Sequence, residues 1–351
     1  MFVSSAVWGE DSSAQFQIYL PSRTTSELLV VEASVTDSDG LELSLASRTD
    51  LGIAGASLVS HPDLPILYIS DPKGGGAATV QLDSDGSPSA VQRQDLNNGY
   101  SYLSIDRDQR FLLGCNYGSG QVDIYRLSPE GQIGERTGSL SEGKRAAHCV
   151  LPTPDNRFLY IPYVKDSNAL FGYAFNAETG VAEALPSRDM EVGDPSGPRH
   201  QAYHPKLPIT YFSNEQRPGI STYKIAADGQ LELLQIVDAL SKDAPKDGVS
   251  SSDIAISPDG KFVFSGIRAP KLGTDAIASY RVGVDGTLTH LGNTPADSVP
   301  WGIALSPDGR FLLVTAFGGG TLTAFEIAED GTLKVAAKLR VDPKISDVVT
   351  R

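Results

Sequence analysis

Six times along this 351-residue chain the same phrase recurs: a short apolar strand, a turn built on Pro, Asp or Gly, and a second apolar strand. The copies are SLVSHPDLPILYIS from residue 57, YLSIDRDQRFLLGC from 102, HCVLPTPDNRFLYIP from 148, HQAYHPKLPITYFS from 200, DIAISPDGKFVFSG from 253 and GIALSPDGRFLLVT from 302. A loop, a third strand, a tight turn and a fourth strand follow each copy. The Asp-Gly pairs at Asp85, Asp228, Asp285 and Asp330 mark that second turn, because Asp-Gly supplies the positive φ values it needs. Aligned on Pro62, Asp106, Pro154, Pro205, Pro258 and Pro307, the copies lie about 44, 48, 51, 53 and 49 residues apart. That period suits a four-stranded unit that buries its faces only by stacking on its neighbours. Apolar residues at helical spacing are almost absent, so the chain is all-β.

The two ends complete the count. Residues 16–45 read as three strands, FQIYL, ELLVVEASV and LELSLAS, with a turn at Asp39-Gly40, and they lack an opening strand. At the other end KISDVVT, 344–350, has no partner after it. Lending that strand to the first unit closes the ring and leaves no open sheet edge. The expectation is a seven-bladed β-propeller with four antiparallel strands per blade, one domain over 1–351. Blade one is then a composite of about 16–50 and 343–351.

Composition narrows the partners. Net charge is −14, from 29 basic and 43 acidic residues. Nucleic acid and anionic membrane are bound mainly through Lys and Arg clusters and are disfavoured. A small anion is not, since a few converging cations decide its binding. No apolar run approaches the roughly 20 residues of a membrane span. MFVSSAVWGEDSSAQ lacks the basic start and long apolar stretch of a secretory signal, so a cytoplasmic protein is expected. Cys115 and Cys149, in strand-like surroundings, read as buried free thiols. DSDG at 37–40 and 83–86 sits where turns are needed and lacks the distal acid of a calcium loop. Cys-x-x-Cys, His-Glu-x-x-His and Gly-x-Ser-x-Gly are absent, and no GxG piece joins a strand to a helix. No metal and no cofactor are expected.

Blade geometry sorts the polar residues. First strands begin, and second strands end, on one face of the disc. GPRHQAYHPKLPITYFSNE, 197–215, turns at His204-Pro205-Lys206. That turn sends His204 to the far end while Arg199, His200 and Glu215 share the mouth. His148 and Lys165 from blade four and Arg268 from blade six join them, with Asn214 and Trp301 alongside. His and Glu can trade protons near neutral pH, while Arg and Lys hold carboxylate or phosphate and steady an oxyanion. A lone His or Arg at a strand end is usually structural. Several on one face suit the opening or closing of an ester-like ring on an anionic substrate. Arg199 and Arg268 should favour ionised Glu215, and a neighbouring carboxylate should favour protonated His148.

From Ala147-His148 through GPRH, Asn214-Glu215, ISPDGKFVFSGIR and ALSPDGRFLLVTAFGGG, the chain resembles the seven-bladed lactonase family. Propeller-type bacterial 6-phosphogluconolactonases and fungal carboxy-cis,cis-muconate lactonising enzymes belong to it. The resemblance spans most of the chain and is densest beyond residue 100; PYVKDSN at 162–168 and the long APKLGTDA loop depart from it. It implies metal-free chemistry, with His148, Arg199, Glu215 and Arg268 as catalytic residues. Lys165, His200, Asn214 and Trp301 are expected to bind substrate. A small anionic sugar lactone, foremost 6-phosphogluconolactone, is the expected partner of a monomer or homodimer. A carboxymuconate-type cycloisomerase and a non-catalytic interaction propeller are the alternatives.

Overall fold

The first hairpin of six repeats is locked by one hydrogen bond, from the N–H of the turn's leading residue to the carbonyl five residues on. The pairs are His61/Ile66, Asp106/Phe111, Thr153/Phe158, His204/Ile209, Ser257/Phe262 and Ser306/Phe311. In four of them the leading side chain also accepts the N–H of that fifth residue: Asp106 Oδ1 (2.6 Å), Thr153 Oγ1 (3.1 Å), Ser257 Oγ (3.0 Å) and Ser306 Oγ (2.9 Å). His61 and His204 do the same work through Nδ1, which accepts the amides two and three residues ahead. Asp106 therefore corresponds to Thr153, not to Pro154, and the alignment of blade three on Asp106 is one residue out. His204 holds a turn.

The computed structural model describes residues 15–36, 40–193, 195–342 and 344–351. The N-terminal stretch to residue 14, the DSDG at 37–40 with its Asp39-Gly40 turn, and the proposed boundary at Pro343 lie wholly or partly outside the described residues. Seven four-stranded antiparallel sheets form the ring. The innermost strands are Leu58–Ser60, Tyr102–Ile105, Leu151–Pro152, Pro198–Tyr203, Ser250–Ile256 and Pro300–Leu305 for blades two to seven. Blade one is the composite expected from the sequence: Val349–Thr350 lies inside Gln15–Pro21, Glu27–Val35 and Leu41–Asp50. Ile18 faces Thr350 and Tyr19 faces Val349, and Gln17 and Arg351 exchange backbone hydrogen bonds of 2.9 and 3.0 Å.

Second strands are mostly buried, wholly so in Phe158–Tyr163, and outer strands such as Val181–Asp189 are mostly exposed. The core lies between blades. Phe111, Leu113 and Ile124 of blade three meet Leu159, Ile161 and Phe171 of blade four. At the seam, Leu20, Leu29 and Val31 of blade one meet Phe311, Leu313 and Leu322 of blade seven. The backbones approach closely there: a Cβ added to Gly302 would lie 2.8 Å from Cα of Asp347. Cys115 and Cys149 are buried free thiols. Among the described residues no helix is long and apolar enough to cross a membrane.

Candidate active site

The inner strands break register at one place, and that break builds the site. In blade five Pro198 pairs with Asn214 and Gln201 with Phe212, so one extra residue sits on the inner strand. Blades six and seven repeat the bulge between Ser251 and Ile254 and between Pro300 and Ile303. Blade four skips from an isolated Ala147–Tyr163 bridge to Leu151–Tyr160, so His148 precedes the short inner strand and does not begin it. A bulge re-aims side chains that a regular strand would send to opposite faces. Both Arg199 and His200 thus reach a central cavity of about 560 Å³, as Ser57 and Tyr102 do from blades two and three and Asp347 from blade one.

Two cations dominate its wall. Arg199 is wholly buried. Its Nε lies 3.3 Å from Glu215 Oε2, close enough for an ion pair but not aligned for a hydrogen bond, and none of its three nitrogens finds an acceptor in the protein. Arg268 donates from Nη2 to Ser251 O (2.7 Å) and Glu215 Oε2 (3.3 Å). Burial and the Arg199 charge push its pKa down to about 10; burial likewise lowers that of Arg199, against the pull of Glu215. The indole of Trp301 lies beneath both guanidiniums, at 5.6 and 4.8 Å, braced by Phe317 at 4.7 Å. One carboxylate oxygen serves two guanidiniums, so this wall is positive within a chain of charge −14.

The other wall is imidazole. His200 Nδ1 lies 2.7 Å from Asp253 Oδ1, and its Nε2 lies 3.2 Å from His148 Nδ1. Both nitrogens of His200 are thereby engaged by side chains, which leaves none for a substrate. Burial, Arg199 and His200 hold the His148 pKa well below the ordinary histidine value. Burial and Arg199 lower that of His200, with Asp253 opposing. The carboxylate expected beside His148 lies one ring further out, so His148 is neutral rather than protonated. Lys165 Nζ sits 5.3 Å over the Tyr117 ring, whose edge meets His148 at 5.4 Å.

The cavity brings together His148, Lys165, Arg199, His200, Glu215, Arg268 and Trp301. It excludes Asn214, whose amide exchanges hydrogen bonds of 2.9 and 3.1 Å with Ser221 Oγ inside the blade. Glu215 faces the mouth, and strand alternation turns its predecessor inward. His204 is likewise absent from the lining. Sequence reasoning missed Asp253, which touches His200, and Asp347, which lines the cavity. Burial and Asp253 push the Asp347 pKa up to about 7. A signal existed for Asp253: it stands four residues before Ser257, as His200 stands four before His204. Among the described residues no three His, Cys, Asp or Glu side chains group as a metal ligand set.

A family profile described as lactonase, seven-bladed β-propeller, matches residues 17–349. A 6-phosphogluconolactonase of Pectobacterium carotovorum is 26% identical over 302 residues, 85% of this chain and 89% of the relative. One from an Enterobacter species is 27% identical over 289 residues, 81% and 84% of the two chains. The solved structure of a periplasmic gluconolactonase from Pseudomonas aeruginosa superposes with a TM-score of 0.83 at 20% identity. It covers 96% of this chain and 99% of that one, a likeness of fold.

Proposed function

As the chain belongs to the seven-bladed β-propeller lactonase family, we propose that it hydrolyses a sugar-acid lactone, 6-phosphogluconolactone to 6-phosphogluconate. The observation that carries this reading is Arg199, a buried guanidinium with no hydrogen-bond acceptor in the protein. Buried N–H donors left without acceptors are costly, and an anionic substrate or a developing oxyanion is what would supply them. The names of the sequence relatives support the phosphorylated lactone. A cytoplasmic location goes with that substrate, whose charge keeps it from crossing a bilayer.

In this reading Arg199 and Arg268 face the lactone carbonyl and Lys165 the distal anion. Neutral His148 takes a proton from water as the water oxygen bonds to the carbonyl carbon. The resulting oxyanion rests against the guanidiniums. As it collapses, the bond to the ring oxygen breaks and His148 returns the proton to that oxygen. The products are a hydroxyl and a carboxylic acid, which ionises and releases one proton to solvent. Glu215 serves better as counter-ion than as base, because one oxygen already faces two guanidiniums. The cations that polarise the carbonyl belong to the chain, so turnover should survive a chelator.

The test is proton release at constant pH from 6-phosphogluconolactone and gluconolactone, with spontaneous opening subtracted, beside loss of ultraviolet absorbance from carboxymuconates. Turnover of the phosphorylated lactone, unchanged by chelator, is expected. Activity on muconates alone would make the chain a cycloisomerase, and activity on neither an interaction scaffold.

A further inference from the structure

We propose that Asp253, acting through His200, fixes which nitrogen of His148 is free, so that blade six positions the base presented by blade four. The kinetic arm rests on the lactonase reading above; the geometry does not. Asp253 cannot swivel, because each of its oxygens accepts a backbone N–H, Oδ1 from Ile254 and Oδ2 from Ile303, both at 2.9 Å. The oxygen that faces His200 at 2.7 Å is therefore an acceptor, and Nδ1 of His200 must carry its proton. A neutral imidazole has one N–H, so Nε2 of His200 is bare and must accept. Across 3.2 Å its only complement is a protonated Nδ1 on His148. That leaves Nε2 of His148 bare, the nitrogen not engaged by His200. Each tautomer follows from the one before.

The chain of rings is held rigidly. Tyr102 meets the His200 ring edge-on at 5.0 Å, His148 meets it at 5.0 Å, and Tyr117 backs His148. The surrounding charges favour the protonation states the relay needs. Burial pushes Asp253 up, but His200, the Ile303 amide and Arg199 outweigh it and keep the carboxylate ionised. Burial, with Arg199 and Arg268, presses both imidazoles toward neutrality. Asp347, the other carboxyl near Asp253, is the one whose pKa is pushed up, to about 7, by burial and by Asp253. Glu215 is held by the two guanidiniums, and Lys165 stands off over Tyr117. His200 is thus a positioning residue, not the substrate contact expected from its place in the sequence.

The readout free of activity is nitrogen NMR of protein labelled with ¹⁵N-histidine. The chain holds five histidines, and His61, His204 and His290 lie outside the cavity lining. In the wild type His148 should show a protonated Nδ1 and a bare Nε2. In Asp253→Asn and in His200→Phe that pattern should be lost, and kcat should fall by about 10²–10⁴-fold with KM within about threefold. In His200→Gln the amide can donate to Asp253 and accept from His148, so about tenfold or more of that loss should return. Asp253 also ties blade six to Ile303 of blade seven. If Asp253→Asn fails to fold, His200→Phe, which spares both backbone bonds, decides the matter. An unchanged His148 tautomer or an unchanged kcat in the folded variants overturns the relay. Wild-type protein inert toward every lactone would overturn the function instead, while the NMR arm still reads the relay.

Discussion

Arg199→Met should make the protein more stable and less active at once. The guanidinium is wholly buried and none of its nitrogens is hydrogen-bonded within the protein; each such unmade bond costs about 1–3 kcal/mol. Against this stand the ion pair with Glu215 at 3.3 Å and the contact with Trp301 at 5.6 Å, the latter worth about 0.5–2 kcal/mol. Removing one partner of a buried pair is ruinous when it strands the other. Here Glu215 keeps Arg268 at 3.3 Å, and methionine fills most of the vacated volume. A gain of about 1–3 kcal/mol is the expected balance. With an unfolding entropy of about 2.1 cal/mol/K per residue over this length, the melting temperature should rise by roughly 1–4 °C. The lost charge-assisted contact, about 1.5–3 kcal/mol, should lower kcat/KM by roughly 10–150-fold. Calorimetry and constant-pH titration on one preparation give both numbers. Added 6-phosphogluconate should raise the wild-type melting temperature and leave that of the variant unmoved. A variant that melts several degrees lower and still turns over phosphorylated lactone would show that Arg199 is architectural.

Three further outcomes are expected. His148→Ala should cost about 10²–10⁴-fold in kcat and abolish the acid limb of the pH–rate profile; Glu215→Gln should keep that limb, and its disappearance there would make Glu215 the base. His148 and His200 are held neutral, so the unfolded chain protonates first and stability should fall as pH drops below the ordinary value of 6.5. Asp347 works the other way: with a folded pKa of about 7 against 3.8, its contribution is full below 3.8 and lost as pH rises through 7. Below neutral pH the two effects oppose one another, so urea midpoints should rise with pH less steeply than the histidines alone would make them, and Asp347→Asn should steepen that rise; an unchanged slope in the variant refutes the Asp347 assignment, and a variant with no rise refutes the histidine one. Deleting 344–351 leaves the inner edge of Gln15–Pro21 unpaired, so the melt should broaden or the chain aggregate; an unchanged melt would refute the closure.

The fold was legible because a propeller blade is a local object. Each turn residue caps its own hairpin within five residues, and the unpaired KISDVVT could go nowhere but blade one. The cationic wall was legible for a similar reason, since Arg199, Glu215 and Arg268 flank strands whose direction the turns set. Asp253 and Asp347 stayed hidden because their partners come from neighbouring blades: Ile303 for one, Leu58 for the other. DIAISP reads as an ordinary half-polar strand until the bulge in Ser250–Ile256 is known. Asn214 needs only the pleat, which sends it away from Glu215, its neighbour in sequence.

The seam between the last strand and the first also orders events in time. Synthesis proceeds from the N-terminus, so six blades and three strands of the first are made before Val349 and Thr350. Until then Tyr19 and its strand wait with an unpaired inner edge, and Leu58 lacks the carboxylate that accepts its amide at 2.7 Å. Ser346 and Asp347, which line the cavity, arrive in the same segment. The nascent chain thus carries His148, Arg199 and Arg268 for much of its synthesis without a finished site. Once residues 345–350 are made, they seal the ring and complete that site in one step.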